Sequence, residues 1–209
     1  MEILNIEKSA KNYGIPVIRT ESHNFLQNLV KKVQPKNILE IGTAVGFSGI
    51  LMLSECDGNL TTIEHNKDYV KQAKKNFAKN KMLSRVKIVE GDCMVEIAKM
   101  VASEKYNEHF DMIFLDGPKA QYNLLLPSLV LLLKQGGTFV ADNVLFRGYI
   151  QGESTAPTKR YKTIIKRLNE FLENCKNNPN LTDFCLETIE DGIVIAKKVI
   201  KWNTNKLNF

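Results

Sequence analysis

Short apolar runs alternate along this chain with longer segments in which apolar residues recur every three or four positions. The short runs are typical of buried strands, and the longer segments are typical of amphipathic helices. In residues 21–33, for example, Leu26, Val30 and Val33 fall on one face of a helix. Strands that alternate with helices predict βαβ units, and therefore an α/β fold with a mostly parallel sheet and helices on both faces.

The pattern predicts five strands in the first two thirds of the chain, at residues 38–41, 60–64, 86–89, 110–115 and 138–141. The predicted helices cover residues 21–33, 47–53, 67–80, 93–101, 122–133 and 159–175. We expect Pro127 to interrupt or restart its helix, and Gly136-Gly137 to end that helix before the next strand.

The end of the chain has a different pattern. Two apolar runs, at residues 184–189 and 193–199, are joined by Glu190-Asp191-Gly192. A turn sequence of this kind between two apolar runs predicts an antiparallel hairpin. The whole chain therefore predicts a seven-stranded, mostly parallel sheet that finishes in a C-terminal antiparallel hairpin.

Composition predicts one domain in a reducing compartment. The chain has 209 residues, of which 44% are hydrophobic, and no Pro/Gly/Ser-rich linker or repeat divides it. Its four cysteines lie far apart and form no Cys-x-x-Cys pair, which favours reduced thiols over disulfides or zinc. The N-terminus lacks the apolar run of a signal peptide, and no run of about 18 apolar residues occurs. We expect a cytoplasmic protein with no membrane partner.

The charge balance leaves two readings open. The chain has 29 Lys and Arg residues against 23 Asp and Glu residues, a formal charge of +6. This excess fits a polyanionic partner, and it fits solvated, lysine-rich helix faces equally well.

Residues 38–50 form the most informative motif, an apolar strand followed by Glu40, a glycine-rich turn and an apolar helix. Gly42 and Gly46 allow a sharp turn and the close approach of a ligand, because neither has a Cβ. The turn opens a helix, whose unpaired N–H groups favour an anionic group. The spacing Glu-x-Gly-x-x-x-Gly differs from that of dinucleotide-binding folds. It resembles the loop with which class I methyltransferases bind S-adenosylmethionine.

Acidic residues end four of the predicted strands: Glu40, Glu64, Asp116 and Asp142. In open α/β sheets, ligands bind at the carboxyl ends of the strands. Glu64 is placed to accept both ribose hydroxyls of a nucleoside, or alternatively to cap the next helix. His65 lies either against the adenine or over the sheet edge.

Asp92 follows the third predicted strand and precedes Cys93. It is suited to accept the adenine amino group and equally suited to cap the following helix, and the two roles are compatible. Both residues are assigned to the cofactor side of the site.

Asp116 follows the fourth strand, and Asp142 and Asn143 follow the fifth. Two carboxylates and an amide oxygen form an all-oxygen set, which suits a hard cation such as Mg²⁺. Each residue also has an ordinary reading as a turn residue, because Asp-Gly and Asp-Asn pairs are common in turns. The three residues together favour a cation site over ordinary turns.

Four motifs resemble those of the cation-dependent O-methyltransferases, the family that includes catechol and caffeoyl-CoA O-methyltransferases. They are residues 40–48, residues 62–64, Asp116-x-x-Lys119-x-x-Tyr122 and residues 141–144, and with the hairpin they span 21–198. The resemblance implies a Rossmann-like class I methyltransferase fold with S-adenosylmethionine and Mg²⁺ as cofactors. It also implies a homodimer, formed through the N-terminal helix or the Trp202 tail.

The resemblance implies one O-methyltransferase domain over residues 1–209. It consists of an N-terminal helical segment (1–35), a catalytic core (36–200) and a tail (201–209).

The resemblance also assigns roles to single residues. Asp116, Asp142 and Asn143 hold Mg²⁺, and Lys119, next to Asp116, removes the proton of the acceptor. Ser48 and the amides of the turn hold the methionine carboxylate of the cofactor. The implied cofactor contacts are Ile18, Glu40, Gly42, Ser48, Glu64, His65, Asp92, Cys93 and Asp116.

The methyl acceptor has two readings. Six basic residues surround the segment 146–162, which follows the predicted metal ligands: Arg147, Lys159, Arg160, Lys162, Lys166 and Arg167. Basic residues with aromatic neighbours suit a phosphate-bearing, stacking ligand. Residues 142–148 resemble the bacterial tRNA 5-hydroxyuridine methyltransferases, which make 5-methoxyuridine at the anticodon wobble position.

On this tRNA hypothesis, Tyr122, Arg147 and Arg160 contact the substrate. The alternative hypothesis makes the same segment a solvated lid over a small catechol, phenol or CoA-linked acid. A module that binds S-adenosylmethionine without turnover is a third reading, and the intact set of Asp116, Lys119, Asp142 and Asn143 argues against it.

Overall fold

The computed structural model describes residues 20–146, 148–150 and 158–201, without the side chains of Thr20 and Arg160. Six α-helices lie in these ranges: α1 Thr20–Val33, α2 Phe47–Ser54, α3 Lys67–Lys79, α4 Cys93–Ala102, α5 Tyr122–Leu132 and α6 Lys159–Lys176. The strands are β1 Asn37–Ile41, β2 Asn59–Glu64, β3 Val86–Glu90, β4 Phe110–Leu115, β5 Leu133–Asp142, β6 Leu181–Glu187 and β7 Ile193–Lys198. Short 3₁₀ turns cover Leu83–Arg85 and Lys119–Gln121.

The seven strands form one sheet in the order β3-β2-β1-β4-β5-β7-β6. Strands β1 to β5 run parallel to one another, whereas β7 runs antiparallel to both β5 and β6. The predicted mostly parallel sheet with a C-terminal antiparallel hairpin is therefore confirmed. No helix in the described ranges is long and apolar enough to cross a membrane.

Strand register brings three of the four predicted acidic residues, together with Gly42, to one edge of the sheet. Ile41 lies opposite Ile63 on one side and Leu115 on the other, and Leu115 lies opposite Ala141. The residues that follow these positions are Gly42, Glu64, Asp116 and Asp142, so all four reach the same carboxyl edge.

Apolar side chains cover both faces of the sheet. Leu26, Ile50 and Phe77 belong to the cluster on the face that α1, α2 and α3 cover. The second cluster contains residues of α4, α5 and α6, such as Leu129 and Phe171. Burial of these two faces excludes water from the strands and leaves their carboxyl ends accessible.

Two predictions around α5 are wrong. The helix runs without interruption from Tyr122 to Leu132, with Pro127 inside it. Proline removes a single backbone hydrogen bond here, and the burial of Leu126 and Leu129 on the same helix offsets that loss.

The helix also ends before Gly136-Gly137, which lie inside β5 rather than between helix and strand. Phe110 pairs with Leu133 and Met112 pairs with Thr138, so the residues between Leu133 and Thr138 bulge out of the ladder. Gly136 has a φ of +74°, which permits this bulge.

Glu40 is fully buried on β1 and ties the glycine turn to the sheet. Its carboxylate accepts hydrogen bonds from Ser48 Oγ on α2 and from Thr62 Oγ1 on β2. The Thr62 hydroxyl gives its only proton to Glu40 and therefore accepts one from Thr43 Oγ1, 2.6 Å away. Burial raises the pKa of Glu40 to about 7, although the bonds from Ser48 and Thr62 work in the opposite direction.

We expect Glu40→Gln to flatten the pH dependence of stability. A carboxyl group whose pKa is raised in the folded state binds its proton more tightly there, so its contribution is present at low pH and lost as the pH rises through about 7. Between pH 6 and pH 8, the wild type should lose about 1 kcal/mol more unfolding free energy than the variant, measured by urea denaturation.

Glu170→Gln, on the exposed face of α6, is the control and should behave as the wild type does. Equal pH dependence in wild type and Glu40→Gln would mean that Glu40 keeps the same protonation in both states.

Candidate active site

A cavity of about 800 Å³ opens at the carboxyl edge of the sheet. Five strands contribute to its wall, because parallel strands in register end at one level. The wall residues include 42–44 after β1, 64–65 at β2, 91–93 after β3, 116–119 after β4, and 143 and 146 after β5.

The turn after β1 requires glycine at Gly42. Its φ is +101°, and a Cβ at this position overlaps the carbonyl oxygen of Asp116. The Asp116 amide in turn donates to the carbonyl of Ile41, at 2.9 Å. The glycine turn and the start of the Asp116 loop are therefore packed directly against each other.

Glu64 fixes the glycine turn from β2. One carboxylate oxygen accepts from the amide of Ala44 at 2.9 Å, and the other accepts from the amide of Asn66 at 2.8 Å. The cap of α3 is Asn66, whose side chain accepts from two amides of that helix. Glu64 lies on the cavity wall and is not the cap. His65 also borders the cavity, with a side chain that is 77% exposed and 3.2 Å from Glu64.

Asp92 and Cys93 both line the cavity. Asp92 caps α4 by accepting from the amides of Met94 and Val95, so one of its two predicted roles is present. The Cys93 thiol donates to the side-chain oxygen of Gln121, at 3.0 Å. Burial raises the pKa of this thiol, and the Asp92 carboxylate raises it further.

Ser48 lies on the wall, whereas Glu40 does not. The Glu40 carboxylate faces Ser48 and Thr62 behind the glycine turn. Glu40 therefore contacts the predicted cofactor residue Ser48 but does not line the cavity itself, and it supports the turn from the core side.

Lys119 stands beside Asp116 at the other side of the cavity. Its Nζ lies 2.8 Å from Asp116 Oδ1 and 2.9 Å from the hydroxyl of Tyr122. Burial alone lowers the pKa of Lys119, but the charge of Asp116 and the hydroxyl of Tyr122 outweigh it and raise that pKa above its usual range. Lys119 is an ammonium in this arrangement.

Tyr122 corrects one sequence prediction. Its side chain is fully buried and lies off the cavity wall, so it does not face a substrate. The hydroxyl lies 3.0 Å from the carbonyl of Leu115 and 3.1 Å from that of Asp142, and the ring packs edge-on against Phe171. Tyr122 thus joins the ends of β4 and β5, and its hydroxyl contacts the Nζ of Lys119 from the core side.

Asp142 is the buried acid at the end of β5, and its side chain has one unmatched oxygen. Oδ1 accepts from the amide of Asn143 at 2.7 Å, whereas the buried Oδ2 has no hydrogen-bond partner among the described residues. Burial, with the neighbouring charge of Asp116, raises the pKa of Asp142 to about 7. Asn143 borders the cavity, whereas Asp142 is 1% exposed and is not a wall residue.

This geometry fits the predicted oxygen set for a hard cation, since a buried carboxylate oxygen without a partner is costly unless a donor or cation meets it. Within the described ranges, no three or more His, Cys, Asp or Glu side chains group as a metal site. The predicted set consists of two carboxylates and the amide of Asn143.

Three predicted residues lie outside what the structure describes: Ile18, Arg147 and the side chain of Arg160. The structure adds Asp191, a wall residue that was not among the predicted site residues, and it places Phe146, the first residue of the predicted segment 146–162, on the wall. The predicted hairpin was the available signal for Asp191, because a strand antiparallel to β5 places its preceding turn at the carboxyl edge.

Comparisons with known proteins agree with this geometry. Residues 2–199 match the model of the O-methyltransferase family. Caffeoyl-CoA O-methyltransferase 1 of Arabidopsis thaliana is 28% identical over 201 residues, which cover 92% of this chain and 76% of that protein. A catechol O-methyltransferase of Niastella koreensis is 34% identical over 160 residues, covering 74% of this chain and 72% of that protein.

Solved structures share the fold. A candidate caffeoyl-CoA O-methyltransferase from Staphylococcus aureus has a TM-score of 0.84 at 28% identity, covering 95% of this chain and 92% of that one. The Bacillus cereus O-methyltransferase in complex with SAH has a TM-score of 0.80 at 22% identity, covering 94% and 90%, which shows the fold alone. Because the family model spans nearly the whole chain, the chain belongs to the class I O-methyltransferase family of the caffeoyl-CoA and catechol type, and it is an S-adenosylmethionine-dependent O-methyltransferase.

Proposed function

We propose that this enzyme methylates a hydroxyl of a small phenolic, catechol or CoA-linked acceptor, with Mg²⁺ held by Asp116, Asp142 and Asn143. The observation that carries the proposal is the buried Oδ2 of Asp142, which has no partner among the described residues and lies beside the charge of Asp116. An all-oxygen set of this kind is what Mg²⁺ prefers. When bound, the cation supplies the charge that lowers the pKa of an acceptor hydroxyl.

Glu64 and the glycine turn form the cofactor half of the site in this proposal. Each oxygen of Glu64 already accepts one backbone amide, and a carboxylate has about four acceptor positions, which leaves room for the two ribose hydroxyls. Ser48 and the first amides of α2 are suited to the carboxylate of the methionine group. Asp92, whose other role is to cap α4, completes this half on the adenine side.

Lys119 takes the proton from the acceptor in this proposal. Asp116 and Tyr122 hold its Nζ in place, and they also hold its pKa above the usual range. Because Lys119 is an ammonium here, it would have to release its own proton to water before it accepted one from the acceptor, and a cation held by Asp116 would favour that release by lowering the pKa of Lys119. The transferred methyl group is already activated as a sulfonium, so the protein has to orient the acceptor oxygen and exclude water.

The similar proteins named above favour the small acceptor over tRNA. One observation keeps tRNA as the second candidate. The rings of Phe146, Tyr149 and Tyr161 lie 5.2 to 5.9 Å apart beside the first turn of α6, where Lys159 and Lys162 are exposed. Aromatic rings next to lysines suit a stacked base with its phosphate.

The homodimer and the cytoplasmic location remain predictions from the sequence.

We expect Glu64→Ala to weaken the binding of S-adenosylmethionine by about 10-fold or more, because charge-assisted hydrogen bonds contribute about 1.5–3 kcal/mol each. Isothermal titration calorimetry measures this affinity directly. The matched control is Glu90→Ala, since Glu90 pairs with Glu64 in the ladder and lies off the cavity wall. If the two variants bind S-adenosylmethionine with equal affinity, Glu64 does not bind the cofactor.

Chelation tests the cation. EDTA should abolish methyl transfer, and added Mg²⁺ should restore it. The Asp142→Asn variant should turn over about 100-fold more slowly or worse, while its affinity for S-adenosylmethionine stays the same. Asp57→Asn is the control, because Asp57 is exposed before β2, at the opposite edge of the sheet. Full activity after exhaustive chelation would refute the proposal that the reaction requires a cation.

Acceptor choice is tested with labelled S-adenosylmethionine, catechol, caffeoyl-CoA and tRNA that carries 5-hydroxyuridine. We expect label in the small acceptors, with the affinity for catechol nearly independent of salt. A tRNA acceptor predicts the opposite salt response, with the affinity falling by about one log unit per log unit of salt for each phosphate contact. Methylation of tRNA alone would overturn the small-acceptor proposal in favour of the second candidate.

A further inference from the structure

The turn between β6 and β7 forms part of the cavity wall. Ile193, the first residue of β7, pairs with Asp142, the last residue of β5. The preceding turn therefore stands at the carboxyl edge of the sheet, and Asp191 within it lines the cavity.

Backbone contacts join this turn to the segment that follows Asn143. The amide of Val144 donates to the carbonyl of Gly192 at 3.0 Å, and the amide of Leu145 donates to the carbonyl of Asp191 at 2.7 Å. Gly192 has a φ of +80°, and a Cβ there overlaps the side chain of Leu145. These contacts hold the turn and residues 143–146 together as one unit.

Glu190 attaches this unit to α1. Its Oε2 accepts from the hydroxyl of Ser22 at 2.7 Å and lies 3.4 Å from the amide of the same residue, although the two residues are 168 positions apart. Ser22 is 1% exposed, so water does not replace this bond easily. The neighbouring His23 packs against Phe47, a residue of the cavity wall, with ring centroids 4.7 Å apart.

We propose that Glu190 is a positioning residue for the methyl acceptor, which acts through Ser22 and the β6–β7 turn to hold Asn143 and Phe146 on the cavity wall. This inference rests on the proposed function, which assigns Asn143 to the acceptor side of the site. Glu190 supplies no group to the reaction.

The physical reason is that the buried bond between Ser22 and Glu190 joins the turn to α1. The cofactor half is held by Glu40 and Glu64 on β1 and β2. Among the described residues, the hydrogen bonds of these two carboxylates come from Ser48, Thr62, Ala44 and Asn66 and not from the turn. Loss of the bond from Ser22 to Glu190 therefore loosens the acceptor wall and leaves the cofactor half in place. A displacement of about 1 Å at a reacting group costs up to about 10²-fold in rate.

Catechol and S-adenosylmethionine are the probes for Glu190→Ala. We expect kcat/KM for catechol to fall by about 10-fold or more, with the Kd for S-adenosylmethionine within about twofold of wild type. Glu190→Gln should recover most of the loss, since its amide oxygen still accepts from Ser22. Ser22→Ala should reproduce Glu190→Ala, and the double variant should add little to either.

Gln27→Ala is the matched control. Gln27 also lies on α1 and donates to Glu55 at 3.0 Å, at the far end of α2. A merely structural role for Glu190 predicts that both variants lower the free energy of unfolding and leave kcat/KM unchanged, and this result would overturn the proposal. A parallel loss of cofactor affinity in Glu190→Ala would overturn it as well.

Amide hydrogen exchange separates this inference from the proposed function. Exchange at Val144 and Leu145 should accelerate by about 10-fold or more in Glu190→Ala and Ser22→Ala, but not in Gln27→Ala. If wild type fails to methylate catechol while exchange accelerates in this way, the acceptor assignment fails and the positioning role stands. Unchanged exchange in Glu190→Ala and Ser22→Ala contradicts the positioning role whatever the acceptor is.

Discussion

The need to satisfy four acidic side chains at or just inside one edge of the sheet organises this site. Parallel strands in register place Glu64, Asp116 and Asp142 at the carboxyl edge and Glu40 just inside it, where like charges and burial are both costly. Hydroxyl groups bind Glu40, backbone amides bind Glu64, and Lys119 binds Asp116. Only the Asp142 carboxylate keeps a buried oxygen without a partner among the described residues, and this is where we place the cation.

These partners divide the cavity into two halves with separate supports. The cofactor half rests on a rigid network of strand ends and the glycine turn, in which Gly42 packs on the backbone of Asp116. The acceptor half rests on Tyr122, which joins the ends of β4 and β5, and on the β6–β7 turn. Because the supports are separate, a substitution on the acceptor side can leave the cofactor side in place.

The sequence predicted the sheet and its carboxyl-edge acids because buried parallel strands are continuous apolar runs, and a charge at the end of such a run marks its boundary. It did not predict that Tyr122 faces the core, since a tyrosine at the first turn of a helix fits either side. Asp191 was missed because its place on the cavity wall depends on the pairing of β7 with β5, which is not local in the sequence. The uninterrupted helix across Pro127 could not be predicted, because tertiary burial of its neighbours overrides the local helix-breaking tendency of proline.

Direct binding of Mn²⁺, followed by electron paramagnetic resonance in the presence of S-adenosylmethionine, tests the central claim most directly. We expect one bound ion per chain in wild type and in Asp57→Asn, and an affinity that falls by about 100-fold or more in both Asp142→Asn and Asp116→Asn. Binding that is absent in wild type, or that survives both substitutions unchanged, would contradict the assignment of the unmatched Asp142 oxygen to a cation.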